Sequence, residues 1–288
     1  MIELAGALPE LNEPILIAAF EGWNDAADAA TSAIEHVEDT WQARPFAALD
    51  PEDYYDFQVN RPQVSFEGTG RSIAWPSTRL SVARPPDAES DLVLVRGIEP
   101  SMRWRSFCSD ILELAERLDI QTVVTLGALL ADAPHTRPVP VTGNTSDDAL
   151  AQALSLEPSR YEGPTGIVGV LQHAATSAGL STVSFWAAVP HYVAQPPCPK
   201  ATLALLRNLE DLLGCPVPLG ELPEQAQAWQ RGVDELAKED SEIAEYVEAL
   251  EKQRDTTELP EATGEAIARE FEQYLKRRRH DGPGGTAH

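Results

Sequence analysis

Pro14-Ile15-Leu16-Ile17-Ala18-Ala19-Phe20, followed at once by Glu21-Gly22-Trp23-Asn24-Asp25, decides how this chain is read. Residues 15–20 are apolar without interruption, so they cannot alternate between a core and solvent. Such a run predicts a strand buried on both faces, as in a parallel sheet covered by helices. The polar turn after it opens an Ala-rich stretch in which Ala30, Ile34 and Val37 recur at helical spacing. Asn24 or Asp25 is placed to cap that helix, because a short polar side chain can accept its first free N–H groups.

The same strand–loop–helix pattern returns downstream. Leu92-Val93-Leu94-Val95 reads as a second buried strand, with Gly97-Ile98-Glu99-Pro100 as its exit and Ser101 as a helix cap. Trp104, Phe107, Ile111, Ala115 and Leu118 then form one apolar stripe. Thr122 to Leu130 is a third strand, followed by a loop from Ala131 to Gly143 and a short helix near Asp147 to Leu154. Val170, Leu171, Ala174 and Ala178 mark another helix, Thr182 to Val189 a fourth strand, and Lys200 to Leu213 a helix. Residues 54–85 differ: short aromatic and β-branched pieces, punctuated by Pro62, Gly68, Gly70 and Pro76, read as antiparallel strands or hairpins added to the sheet. The rhythm predicts an α/β fold, a three-layer αβα sandwich with a mostly parallel sheet, over residues 1–220.

From Pro223 the texture changes. Trp229, Val233, Leu236, Asp240, Ile243, Val247 and Leu250 step alternately by four and three, a heptad seam with one acidic interruption. Residues 255–260 break it, and Ile267, Phe271 and Tyr274 continue to about Arg279. This predicts a C-terminal αα-hairpin over residues 221–279 and a disordered Gly-rich tail at 280–288.

Charge and composition remove whole classes of function. The formal net charge is −24, from 22 basic and 46 acidic residues, which excludes a nucleic-acid binder. Three cysteines without a CxxC give neither a disulfide framework nor a zinc site, and no metal or cofactor is expected. Residues 1–199 contain no lysine, so neither a Walker loop nor a Schiff-base lysine lies there. HExxH, GxSxG and EF-hand patterns are absent as well. No signal peptide or membrane-length apolar run is seen, so the expected setting is soluble, reducing and cytoplasmic, with no membrane partner.

In an open α/β sheet, ligands bind beyond the carboxyl ends of the strands. Those ends carry Glu21, Asn24 and Asp25, then Glu99, then His135 and Arg137 beside Asp132, then His191. Two carboxylates, a histidine and an arginine converging on one rim make an acid/base site. The alternative is that loops are polar anyway and that Asn24 and Asp25 simply cap a helix. Gly163-x-x-Gly166-x-x-Gly169 before a helix is a candidate anion-binding turn, although close packing explains the glycines equally. Trp23, Trp104, Trp186 and Cys108 are expected in the core, and Cys198 in a stiff proline loop has no activating base.

Several blocks carry a resemblance. Phe20-Glu21-Gly22-Trp23-Asn24-Asp25-Ala26-Ala27, Arg96-Gly97-Ile98-Glu99-Pro100, Thr125-Leu126-Gly127-Ala128, Gly163-Pro164-Thr165-Gly166-Ile167 and Ala188-Val189-Pro190-His191-Tyr192 are similar to the proteasome assembly chaperone 2 family. The likeness is strongest to actinobacterial members and covers about residues 1–220. It implies a fold like that of purine nucleoside phosphorylases and related hydrolases. It also implies self-association, commonly as trimers or larger rings, and a chaperone-like or scaffold role near proteasome assembly. Some relatives insert a C-terminal hydrophobic-Tyr-X tail into proteasome pockets; with Thr286-Ala287-His288 at the end, that motif is not expected here. The leading expectation is a non-enzymatic, self-associating protein-binding protein, a homo-oligomer with a trimer favoured and proteasome subunits as candidate partners. The alternative is a hydrolase or nucleosidase-like enzyme, with Glu21 or Glu99 as base or ribose-binding acid and Arg137 as an anion clamp.

Overall fold

The computed structural model describes residues 2–68, 70–156, 159 and 161–258. The chain runs through β1 (Ile2–Leu4), β2 (Ile15–Glu21), α1 (Ala29–Thr40), β3 (Arg44–Leu49), β4 (Gln63–Glu67), β5 (Gly70–Ala74), β6 (Thr78–Ala83) and β7 (Leu92–Ile98). It continues through α2 (Trp104–Arg117), β8 (Thr122–Ala131), β9 (Val141–Thr145), α3 (Asp148–Leu154), α4 (Ile167–Ser177), β10 (Ser181–Pro190), α5 (Pro199–Leu213), α6 (Leu222–Glu239) and α7 (Ser241–Glu258).

Eight strands form one mixed sheet in the order β1-β3-β6-β7-β2-β8-β10-β9. Its centre, β7-β2-β8-β10, is parallel throughout, and these are the four apolar runs read as buried strands. The remaining neighbours pair antiparallel. Alternation along β2 explains why its run must be apolar on both sides. Ile17 and Ala19 face a core with α1 and α5, while Leu16, Ala18 and Phe20 face one with α2 and α4. On the second face the Phe107 ring meets Phe20 edge-on at 5.6 Å and Tyr54 at 5.2 Å. The expected three-layer α/β architecture is therefore present.

Three local expectations change. Residues 54–59 form no strand: Tyr54 and Tyr55 are buried, their hydroxyls bonded to Asp110 Oδ2 and Thr78 Oγ1, each at 2.6 Å. Aromatic residues there plug the core rather than mark a strand. β4 and β5 pair only with each other, apart from the main sheet, whereas β6 joins it. Ser101 caps nothing; its hydroxyl accepts from Asp56 N and Asn60 Nδ2, and Arg103 precedes α2 in a left-handed conformation.

The C-terminal helices turn at Asp240, and of the expected break at residues 255–260 only 255–258 are described, as the end of a helix. Asp240 is extended (φ −120°, ψ 109°), and its Oδ1 accepts from Glu242 N at 2.9 Å and Ile243 N at 3.3 Å. The acidic residue in the heptad seam is thus an N-cap that ends one helix and starts another. Helix α7 then runs on through Glu258. The expected stretch from Ile267 to Arg279 and the tail at 280–288 lie outside the described residues. Among the described residues, no helix is long and apolar enough to cross a membrane.

Candidate functional site

The loop leaving β2 enters the crevice where the chain turns from building toward β7 to building toward β8. Asn24 is buried there; its carbonyl accepts from Ala128 N at 2.8 Å and its Nδ2 donates to Glu99 Oε1 at 2.6 Å. The same Glu99 oxygen accepts from Ile167 N, at the start of α4, at 2.9 Å. A helix N-terminus concentrates free N–H groups and partial positive charge. Here the chain's own Glu99 carboxylate stands at that place, beside a glycine turn that the sequence left open between an anion site and close packing. Gly166 is glycine for close approach: a Cβ would stand 2.3 Å from the Asn24 amide.

Asp25 is the helix cap of the alternative reading. Its Oδ1 accepts from Ala30 N at 2.6 Å, and its Oδ2 from Thr31 N at 3.1 Å and from the Thr31 hydroxyl. It reaches these groups because Ala27 and Asp28 both take left-handed conformations, folding the loop back under α1. Burial pushes the Asp25 carboxyl up to about 6, against the pull of its three donors. Glu21 stands exposed at the end of β2.

His135, Arg137 and His191 belong elsewhere. Buried His135 accepts at Nδ1 from the Tyr192 hydroxyl at 2.8 Å, and that hydroxyl accepts in turn from His135 N at 2.8 Å. The imidazole proton then sits on Nε2, which lies 3.0 Å from Asp234 Oδ1 on α6. Burial lowers the His135 pKa, consistent with this neutral ring. Arg137 pairs with Asp255 at 2.9 Å and Glu251 at 3.3 Å, both on α7. His191 is exposed, 3.7 Å from Asp132, whose Oδ1 also accepts from the Tyr246 hydroxyl of α7 at 2.9 Å. These residues fasten α6 and α7 to the loop between β8 and β9. The structure therefore brings Asn24, Glu99 and the Gly166 turn together and keeps His135, Arg137 and His191 in a second cluster. Of the residues named for the hydrolase reading, Glu99 holds α4, Arg137 holds α7, and Glu21 stands exposed at the end of β2.

Residues that sequence reading did not single out, together with Gly166 and Gly169 of the glycine turn, line a cleft of 1220 Å³ at the carboxyl ends of β8 and β10. Trp23, Leu129, Leu130, Tyr161 and Trp186 supply much of its apolar surface beside neutral polar residues such as Thr142, Asn144, Gln172 and Asn208, and among the described residues none that line it is charged. Trp23, expected in the core, is 65% exposed on this wall. The Trp186 ring lies against Gly127, 2.6 Å from where a Cβ would stand, so the glycine lets an aromatic ring close the floor. The available signal was Leu129-Leu130, a greasy pair at the very tip where the preceding pattern puts polar residues.

Replacing Glu99 with glutamine keeps the shape and an acceptor and removes the charge at α4. The expected result is a folded protein whose urea midpoint falls by an amount equivalent to about 1 kcal/mol. An unchanged midpoint would show that the carboxylate's charge does not hold this helix.

Known proteins are similar to this chain in both sequence and shape. The PAC2 family model matches residues 19–237. A PAC2 family protein from Streptomyces avermitilis is 64% identical, with a TM-score of 0.77 over 81% of this chain and 99% of that one. A Mycobacterium tuberculosis proteasome-assembly chaperone homologue is 54% identical, with a TM-score of 0.75 over 81% of this chain and 99% of its own. An archaeal proteasome activator from Pyrococcus furiosus is 17% identical with a TM-score of 0.65, over 82% of this chain and 98% of that one, a likeness of fold alone. No curated protein matches the chain.

Proposed function

This chain belongs to the PAC2 family, and on that premise we propose that it is a non-enzymatic, chaperone-like protein that binds unassembled proteasome subunits and associates with itself as a trimer. The observation that carries this reading is the cleft. At the strand ends, where an enzyme of this architecture gathers acid and base groups, the described lining residues carry no charge and set Trp23, Leu129, Leu130, Tyr161 and Trp186 among neutral polar side chains. Such a surface suits the exposed hydrophobic faces of subunits that have yet to assemble. The 54% identical relative, called a proteasome-assembly chaperone homologue, supports the same client class. Three buried free thiols fit a reducing compartment, and we place the protein in the cytoplasm.

The test is gel filtration with light scattering on the full chain mixed with purified α- or β-type proteasome subunits from the same organism. Co-elution with unassembled subunits, weakened at least tenfold by Trp23→Asp, is the expected result. Separate elution at tens of micromolar would remove proteasome subunits as clients.

A further inference from the structure

A second cavity, of 640 Å³, opens between α5, α6 and the loop from β8 to β9. Val141 and Asn208 are the described residues that its wall shares with the client cleft, so the two are neighbours but separate. One face of α5 makes its floor. Lys200, Leu203, Ala204 and Arg207 follow the three-and-four spacing of a single helical stripe. The two cations therefore stand two turns, about 10 Å, apart along the helix, with an apolar stretch between them. Val139 of the loop and Ala226 of α6 widen that apolar stretch.

Positive charge is scarce in this chain. The net charge is −24 and residues 1–199 contain no lysine, yet the described lining holds Lys200 and Arg207 against one acid, Asp211. Lys200 is half-buried, and its ammonium donates to His135 O and, at 2.8 Å, to Gln230 Oε1. Both acceptors are neutral. Asp234, the acid that acts on Lys200 from a distance, is bonded to His135 Nε2 instead. Among the described residues no carboxylate lies within ion-pair distance of Lys200. Burial of a charge without a counter-ion is unfavourable, and it lowers the Lys200 pKa. Arg207, exposed at the other end, also forms no ion pair among the described residues, although Asp211 is one turn away. An ammonium carries three donors and a guanidinium five, so donors remain for a ligand at both ends of the cavity.

We propose that this cavity binds a small aliphatic dicarboxylate, one carboxylate on Lys200, the other on Arg207, and the methylene chain between them on Leu203 and Ala204. Its volume falls within the roughly 300–1,000 Å³ of small-ligand sites. Each end of the ligand gains charge-assisted hydrogen bonds, and the methylenes leave water. The site stands apart from the client reading, because neither cation lines the cleft.

Isothermal titration calorimetry of the full chain with glutarate, adipate and pimelate tests it, with hexanoate and hexanediol as the singly charged and neutral counterparts. The expected result is saturable binding of at least one dicarboxylate, about tenfold or more tighter than hexanoate, and none of hexanediol. A chain of this net charge repels dianions, so such binding is not a general property of its surface. Arg207→Gln, at an exposed position, should fold and weaken binding by about tenfold or more. Lys200→Gln should do the same. If its melt shows early unfolding, Gln227→Glu replaces it: this exposed position on the α6 wall then carries a repelling carboxylate, and binding should weaken as much. No binding of any of the three dicarboxylates up to about 10 mM, beyond the weak end of specific affinities, overturns the proposal. Binding that hexanoate matches, or that Arg207→Gln leaves unchanged, overturns it as well.

Discussion

Asp25→Ala is expected to lower stability by about 3 kcal/mol at pH 5, the sum of leaving two backbone N–H groups and one hydroxyl unsatisfied in a buried place. Ala30 N, Thr31 N and the Thr31 hydroxyl all depend on this carboxylate, and Asp25 is 3% exposed, so water cannot replace it. The loss depends on pH in a direction that follows from the raised carboxyl. The ordinary value is 3.8 and the folded value about 6, so the folded state holds the proton more tightly. Stability from this group is full below the ordinary value and drains away as pH rises through the folded one. The penalty of the alanine variant should therefore shrink by on the order of 1 kcal/mol between pH 5 and pH 8. Urea unfolding of parent and variant at the two values measures it; a penalty that grows toward pH 8 would overturn the assignment.

A side chain at position 97 is expected to be as costly. A Cβ on Gly97 would stand 2.7 Å from Thr78 Cα, 2.7 Å from Thr78 Oγ1 and 3.0 Å from Ser77 O. Two of these are backbone atoms, which cannot swing aside as a side-chain tip can. The hydroxyl is tied down too, since Thr78 Oγ1 bonds the Tyr55 hydroxyl at 2.6 Å, and that hydroxyl donates to Ile98 O at 2.9 Å. Gly97→Val must push β6 away from β7 and break this chain of bonds. The expected loss is about 3 kcal/mol, from overpacking plus orphaned buried hydroxyls. Chemical denaturation reads it directly; a variant within 0.5 kcal/mol of the parent, about the scatter of a neutral surface change, would mean that the gap between β6 and β7 yields easily.

The inner sheet was legible because burial on both faces favours apolar residues, and β2, β7, β8 and β10 are mostly apolar, with only small hydroxyl residues such as Thr125, Thr182 and Ser184 among their buried positions. β9 was not legible. Val141-Thr142-Gly143-Asn144-Thr145 is short and polar, and it becomes a strand only by pairing with β10 at the sheet's edge. Glu99 and Asp25 stood out as strand-end carboxylates, and in the structure they satisfy N–H groups at the N-termini of α4 and α1. His135 and Arg137 looked like the same rim because both follow β8. Their partners, Asp234, Glu251 and Asp255, lie about a hundred residues later, beyond the reach of local pattern.

The sequence by itself determined the layered α/β core, because periodicity reports burial and burial is decided segment by segment. It also determined the family, through short blocks at the strand exits. Only the tertiary structure decided which polar residues are spent inside the fold and which apolar ones are left outside. Trp23 and Phe66 look like core residues in a string of letters, yet they stand in water because no other part of the same chain covers them. That outcome depends on the relative placement of distant elements, which no local pattern encodes.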